Sequence, residues 1–449
     1  MAMETPEKGN NGSRSEGESP GSPVWVEKKS INEVAFARDL LDRHPMKYVG
    51  GLLLDVNGRV DERALRKEVF DMLSPYKNSN ISNTLDRLLN TIKVSCFEEK
   101  IPMMADELHV ANGTYRLDGN FTEKMDICLN RFPVRYDPGA KKPELWLRFL
   151  NTLLDPEDIP ALQQFMGYSF IPMTKAQAML LMYGEGGEGK SRIGLVMRML
   201  LGDAMSMTSI QKIENNRFAR ADLVGKLLLV DDDMDMSALT KTNYIKTLVT
   251  LEDKFDIERK GQQSEQQRLY CRFMLFGNGS LKALHDRSYG FYRRQVIIKV
   301  RPRDKDRQDD PFLIEKLALE KEGIFLWALQ GLQDLVRQQF HFTISEKSQQ
   351  LLKEQLRDAN NVIAFMSSEG YLLFDKNAVI TSSQLYDVYK IWCQENVENA
   401  MVPKSFLTEV KKLQDDYGIR EDTNIRLPGG KRCRGFKGIQ SRIRTDYGI

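Results

Sequence analysis

The chain has 449 residues, more than one core organises, and a prior of about 150 residues per domain divides it into roughly two to four domains. Its 65 Lys+Arg nearly cancel its 63 Asp+Glu, so bulk charge points to no partner and any nucleic-acid surface has to arise from local clustering. Five cysteines, at 96, 128, 271, 393 and 433, are never two to four residues apart and are joined by four histidines, which argues against a zinc site or a disulfide framework and for free thiols in a reducing compartment.

No apolar run approaches the roughly 18 residues of a membrane span, and no signal-peptide core stands at the start, so a soluble, cytoplasmic protein with no membrane partner is expected. Residues 1–25 are rich in Gly, Ser, Glu, Pro and Asn, cannot bury enough surface to fold, and read as a disordered tail. Residues 26–160 read as a mainly helical N-terminal and collar domain. "INEVAFARDLLDRH" and "ISNTLDRLLNTIK" carry apolar residues at three- and four-residue spacing, and "LHVANGTYRLDG" adds short strands about an Asn-Gly turn. Over 161–340 the apolar runs "AMLLMY", "KLLLVDD", "RFMLFGN" and "RRQVIIKV" alternate with helical segments, the pattern of an α/β domain around a central sheet. Residues 361–449 hold two amphipathic helices, "SQLYDVYKIWCQ" and "KSFLTEVKKLQ", and then "NIRLPGGKRCRGFKGI", two strands about a Pro-Gly-Gly turn, the order of a winged helix.

The stretch "GEGGEGKS", Gly184–Ser191, fits G-x-x-x-x-G-K-[ST], after an apolar strand and before the helix "SRIGLVMRMLL", which Gly202 ends. Gly184, Gly186, Gly187 and Gly189 let the backbone turn its N–H groups inward around phosphate oxygens, and the following helix adds its positive end. With Glu185, Glu188, Lys190, Ser191 and Arg192 they form the candidate ATP-binding set. Lys190 would reach the β/γ-phosphates and Ser191 would ligate Mg2+. Carboxylates are unexpected beside phosphates, so Glu185 and Glu188 are expected to point to solvent. The competing reading is a plain flexible loop.

A phosphate loop needs an acidic centre, and "GKLLLVDDDMD" delivers Asp231, Asp232 and Asp233 at the end of a buried strand. Asp232 is the candidate metal ligand, and Asp232 and Asp233 are the candidate catalytic pair; a solvated acidic turn is the alternative. Asn278, ending "RFMLFGN", would orient the attacking water, or belongs to a Gly-Asn-Gly turn. Arg293 and Arg294 would reach a neighbouring subunit's γ-phosphate, or form a surface pair. Lys254, Arg259 and Lys260 flank a strand-turn that would line a pore and grip phosphates, or simply face solvent. The run "KRCRGFKGIQSRIR" has six basic residues in fourteen and one aromatic, Phe436. Lys431, Arg432 and Arg434 would contact phosphates as a wing, with Lys404, Lys411 and Lys412 on the preceding helix; a solubilising basic tail is the alternative.

The order of these motifs resembles the superfamily 3 helicases, in particular the phage and plasmid primase-helicase branch that includes poxvirus primase-helicases. The residues carrying it are "RFPVRYDPGAKKPELWLRFL", "LQQFMGYSF", "GEGGEGKS", "LVGKLLLVDDDMD", "LVTLEDKFDIERKGQ", "RFMLFGN" and "GFYRRQVIIKV", across roughly 107–335. The resemblance implies an AAA+-like, ATP- and Mg2+-dependent helicase, assembled as a hexameric ring, that moves on single-stranded DNA and unwinds forked DNA, usually 3′ to 5′. It would serve replication of a mobile element in a bacterial host cell, beside a separate primase or other replication proteins. Position by position, Lys190 and Ser191 match Walker A, Asp232 and Asp233 match the Walker B acids, and Lys246, Asp253 and Lys260 fall in the family's basic segment. Asn278 matches its sensor and Arg294, or Arg293 beside it, its finger. Asp-Asp-Asp stands where many relatives have a Glu or only an Asp pair, and "TLED" where they often have Thr-Gly-Asp, which leaves the water-polarising residue open. No acidic triad on strands precedes residue 107, so helicase without priming activity is expected. Two rivals stand beside this reading: an ATP-switched DNA-binding replication initiator, which shares every motif and differs in turnover, and a P-loop kinase that does not act on nucleic acid, which would explain only the first two motifs.

Overall fold

The computed structural model describes residues 23–27, 30–99, 105–235, 242–261, 263–278, 289–304, 306–426 and 432–443. The chain divides into two compact units, Met1–Phe132 and Pro133–Ile449.

In the first unit, α1 (Glu33–Arg43) is followed by the antiparallel strands β1 (Lys47–Val49), β2 (Leu52–Asp55) and β3 (Gly58–Arg59), then by α2 (Glu62–Leu73) and α3 (Ile81–Ser95). A second antiparallel sheet holds β4 (Glu107–Val110), β5 (Gly113–Arg116) and β6 (Phe121–Thr122). The helices form where the sequence places apolar residues three and four apart, because those positions share one face. Phe36 and Leu40, Leu65 and Val69, and Leu88 and Ile92 bury those faces in one core. Asn32 caps α1 by accepting the N–H of Ala35. The sheet β1–β3 adds strands that the mainly helical reading of residues 26–160 did not single out here, since strands of two to four residues are too short to show alternation. Trp25, grouped by composition with the tail, is instead 2% exposed: its ring meets Phe36 edge-on at 4.8 Å and its indole N–H donates to Asp39 at 2.9 Å. Residues 1–22 of that expected tail lie outside the described residues.

The second unit opens with α4 (Glu144–Leu153) and α5 (Ile159–Tyr168). An alternation follows: β7 (Met179–Gly184), α6 (Ser191–Leu201), β8 (Met205–Met207), α7 (Ile210–Asn215), β9 (Leu228–Met234), α8 (Asn243–Val249), the hairpin β10 (Lys254–Ile257) and β11 (Glu265–Arg268), β12 (Arg272–Asn278), α9 (Tyr289–Tyr292) and β13 (Gln295–Lys299). Five of these strands make one parallel sheet in the order β13-β7-β12-β9-β8. Strands covered on both faces read as continuous apolar runs, which is why "FMLF" and "LLV" stand where β12 and β9 run through the core. The α/β class expected from the alternation is therefore present, with β12 inserted between β7 and β9.

Helices α10 (Leu313–Ala318) and α11 (Lys321–Arg337) follow the sheet, and α11 packs on α5. The two helices approach through glycines: a Cβ on Gly167 would lie 2.2 Å from the Ala328 carbonyl oxygen, and one on Gly331 2.4 Å from that of Gln163. Glu320, just before α11, accepts the N–H groups of Leu145 and Trp146 and so caps α4 from across the unit.

Beyond α12 (Glu346–Ala359) come α13 (Asn361–Ser367), β14 (Leu372–Leu373), β15 (Val379–Thr381), α14 (Ser382–Glu395), α15 (Pro403–Lys412), α16 (Gln414–Tyr417), β16 (Arg420–Arg426), β17 (Arg432–Lys437) and β18 (Gln440–Ser441). Here β15, β17 and β16 form an antiparallel sheet in that order, so helix, helix and hairpin occur as the sequence orders them, with β15 added at the edge. Thr381 and Gln384 close a capping box on α14. Phe436, read from the sequence as a wing aromatic among basic residues, is 1% exposed and belongs to the core with Tyr389, Phe406 and Ile380. It lies opposite Ile380 of β15, and that pairing turns it inward.

Replacing Gly167 or Gly331 by alanine forces the α5–α11 pair apart, because backbone atoms cannot yield as a side chain can. Each substitution is expected to cost about 1–3 kcal/mol, read as a lower midpoint in urea unfolding with an unchanged slope.

Candidate functional site

The parallel order sends the carboxyl ends of all five strands to one edge, where ligands bind in open α/β sheets. On that edge Asn278, the last residue of β12, pairs in register with Gly184, the last residue of β7. The loop from Glu185 to Lys190 then turns directly into α6, whose first residue is Ser191. Three of its glycines hold a backbone L side chains avoid, with φ of 112° at Gly186, 78° at Gly187 and 112° at Gly189. Gly184 is confined differently, since a Cβ there would lie 2.4 Å from the Glu188 carboxylate.

Glu188 contradicts the expectation that both loop glutamates face solvent. Glu185 is exposed, but Glu188 is 1% exposed and folded beneath the loop. Its Oε1 accepts the N–H groups of Glu185 and Gly186, and its Oε2 lies 2.6 Å from Nζ of Lys190, itself 6% exposed. Burial pushes the Glu188 carboxyl up, but the Lys190 ammonium and the backbone N–H donors outweigh it and hold the group below its ordinary value. A carboxylate is tolerated among glycines because these donors are turned towards it. Ser191 is exposed at the start of α6, and Arg192 is half-buried. Asp310 is held below its ordinary value chiefly by its bond with Lys316, with Arg192 adding to the same effect.

Strand β9 brings the acids to the same edge. Asp231 is buried and accepts the N–H of Ile210 at 2.8 Å, so it ties β9 to α7; burial pushes its carboxyl up. The pairing then slips, from Leu275 opposite Asp231 to Gly277 opposite Met234. This bulge breaks the alternation of side chains, and Asp232 and Asp233 are both exposed. Nδ2 of Asn278 donates to Oδ1 of Asp233 at 3.3 Å, and Oδ1 of Asn278 lies 3.8 Å from where a Cβ on Gly186 would sit. Loop, amide and acid therefore converge. Among the described residues no cluster of three or more His, Cys, Asp or Glu could hold a metal ion. Ser191 and Asp232, the residues expected to hold Mg2+, are both exposed; Mg2+ takes one or two protein oxygens and fills its octahedron with phosphates and water.

Sequence reasoning missed two arginines. The segment after β13 leaves beside the end of β7, with the N–H of Val300 bonded to the Tyr183 carbonyl at 3.0 Å. Arg307 donates to the carbonyl of Glu188 at 2.6 Å, and Arg303 and Arg307 both contact Asp309, at 3.0 and 3.3 Å. Cβ atoms on Gly187 and Gly189 would lie 3.7 Å from Arg303 and 3.5 Å from Arg307. Nothing local in "RPRDKDR" announces this; the adjacency of β13 and β7 creates it.

Arg293 and Arg294 stand at the opposite end of the same sheet. They precede Gln295, which pairs with Met179 at the start of β7, so the fold does not bring them to their own chain's loop. Burial and the neighbouring Arg293 push the Arg294 guanidinium down.

In the hairpin β10–β11, Lys254 and Lys260 are exposed, while Arg259 is paired with Glu265 at 3.1 Å. Lys254 lies directly opposite Arg268, a residue sequence reasoning did not single out. In the C-terminal sheet Lys404, Arg432 and Arg434 are exposed, and Arg432 lies opposite Arg426. Lys411 and Lys412 are drawn into ion pairs with Glu421 and Glu409. Lys431 lies outside the described residues.

A protein family described as a family of unknown function, DUF5906, matches residues 182–294, the span from β7 to the Arg293–Arg294 pair. No curated protein matches the chain. In fold it is similar to the C-terminal region of NrS-1, spanning residues 305–718 of that protein, with a TM-score of 0.53 and 13% identity over 90% of this chain and 99% of that one. A second apo structure of that region gives a TM-score of 0.52 and 14% identity over 92% of this chain and all of the other. The chain thus shares the fold of that region. Among the described residues no helix is long and apolar enough to cross a membrane.

Arg307→Ala removes a strut from the loop while leaving its glycines intact. Hydrogen exchange of the amides from Glu185 to Ser191 is expected to quicken roughly tenfold, with exchange in β12 unchanged.

Proposed function

We propose that the chain is an ATP-dependent replicative DNA helicase of a phage or other mobile element, a P-loop ATPase of the AAA+-like, superfamily 3 type that works as a hexameric ring on single-stranded DNA. The observation that carries this reading is the meeting of the Gly184–Ser191 loop, Asn278 and Asp233 at one edge of a parallel sheet, with Asn278 bonded to Asp233 at 3.3 Å. Glycine-turned N–H groups at a helix N-terminus favour phosphates, and Lys190 supplies the compact charge for their outer oxygens. Asp233, bonded to Asn278, would polarise the attacking water. Bound Mg2+, on Ser191 and Asp232, would neutralise charge on the phosphates. Arg294 or Arg293 of a neighbouring subunit would complete the site, since a chain's own pair lies at the far edge of its sheet.

The DNA reading rests on two hairpins with the same unusual pairing. Like charges directly opposite each other destabilise a ladder, yet Lys254 faces Arg268 and Arg426 faces Arg432. A phosphate backbone relieves both repulsions. In this reading β10–β11 is the pore hairpin, with Lys254, Arg268 and Lys260 the grips and Arg259 already neutralised. The C-terminal helices and hairpin act as a winged helix, where Lys404, Arg432 and Arg434 contribute more than Lys411.

A strand-displacement assay on 3′- and 5′-tailed duplexes tests the whole reading, with ATP turnover followed in parallel. Single-stranded DNA is expected to stimulate turnover, and Lys190→Ala or Asp233→Asn to lower kcat at least roughly a hundredfold. Turnover indifferent to DNA would favour a kinase acting elsewhere, and DNA loading without turnover an ATP-switched initiator. Arg426→Gln combined with Arg432→Gln is expected to leave the DNA-free chain equally or more stable. The same pair weakens single-strand binding and flattens its salt dependence by about 0.7 per lost contact.

A further inference from the structure

The carboxylate of Glu188 makes with the loop the kind of contacts a bound phosphate would require. It takes two backbone N–H groups and the ammonium of Lys190, and both members of the ion pair are buried. Glu188 is reached by Arg307 as well, through its carbonyl. A buried ammonium has one charge to satisfy; a phosphate arriving beside a buried carboxylate meets like-charge repulsion unless that ammonium turns to it. Nothing in the chemistry of phosphate binding needs a negative charge at this position, where a neutral side chain accepting the same two N–H bonds would preserve the backbone path.

We propose that Glu188 is an internal counter-ion that parks Lys190, and that a nucleoside triphosphate binds by drawing the Lys190 ammonium from the Glu188 carboxylate onto its own phosphate oxygens. This rests on the nucleotide reading above. No bond is made or broken; one ion pair is exchanged for another, while Oε1 of Glu188 keeps its two N–H donors and holds the loop. Glu188 is thus a positioning residue that acts through Lys190. The exchange makes affinity depend on how much negative charge the ligand brings, so weakly charged ligands do not displace the carboxylate.

Glu188→Gln tests this with little change of shape, since the amide oxygen still accepts the two N–H bonds while the charge is lost. Calorimetric titration of the full chain with ATP, ADP and pyrophosphate is expected to show ATP binding roughly tenfold tighter in Glu188→Gln. In a Lys190→Gln background the same substitution is expected to lose most of that gain, which a merely structural role for Glu188 would not predict. Thermal unfolding without nucleotide reports whether each variant is folded, and if Glu188→Gln is not, the neutral and shorter amide Glu188→Asn is read in the same way. A folded neutral variant that binds ATP no more tightly than the unmodified chain overturns the exchange, as does a gain that persists without Lys190. An unmodified chain that binds none of the three ligands overturns the nucleotide reading itself, and the exchange with it.

Discussion

One ordering constraint governs the second unit: five strands run parallel as β13-β7-β12-β9-β8, so five carboxyl ends share an edge. Parallel strands bury both faces and need crossovers, and those crossovers supply α6 and α7. With β12 between β7 and β9, its last residue, Asn278, comes between the glycine loop and the acidic bulge. With β13 on the other side of β7, the segment carrying Arg303 and Arg307 emerges against that loop. The opposite ends of the same strands carry Arg293 and Arg294 away from it. A different strand order with the same motifs would separate these groups.

Charge in this unit is handled by local pairing and not by bulk balance. Inside the loop, Glu188 and Lys190 neutralise each other out of water, an arrangement that tolerates burial because the remaining carboxylate oxygen is filled by backbone donors. On the strand, Asp231 is spent on capping α7, leaving Asp232 and Asp233 in solvent. At the two hairpins the chain does the reverse and sets cations opposite cations. The near-zero net charge of the sequence conceals all of this.

The alternation of apolar runs and helical periods made the α/β class legible, and the glycine loop, its following helix and the acid-ending strand stand where local pattern places them, because each depends on residues close in sequence. What local pattern could not reach were features made by distant residues. The β1–β3 sheet consists of strands too short for a period. Trp25 joins a core whose members lie mostly in α1, α2 and α3, so its tail-like neighbours misplace it. Phe436 sits among glycines and basic residues yet turns inward because it pairs opposite Ile380.

The sequence by itself determined the longer elements, the glycine loop and the acids that accompany it, since propensity, spacing and residue type act over a few positions. Glu188 folds under the loop through partners two and three residues away, a consequence of the loop's positive-φ turns that residue type alone did not announce. Only the tertiary structure decided that Arg307 braces the loop and that Asn278 touches Asp233. The physical reason is that strand order and register join residues 45 to 119 positions apart, and hydrogen bonds of about 3 Å exist only after that joining.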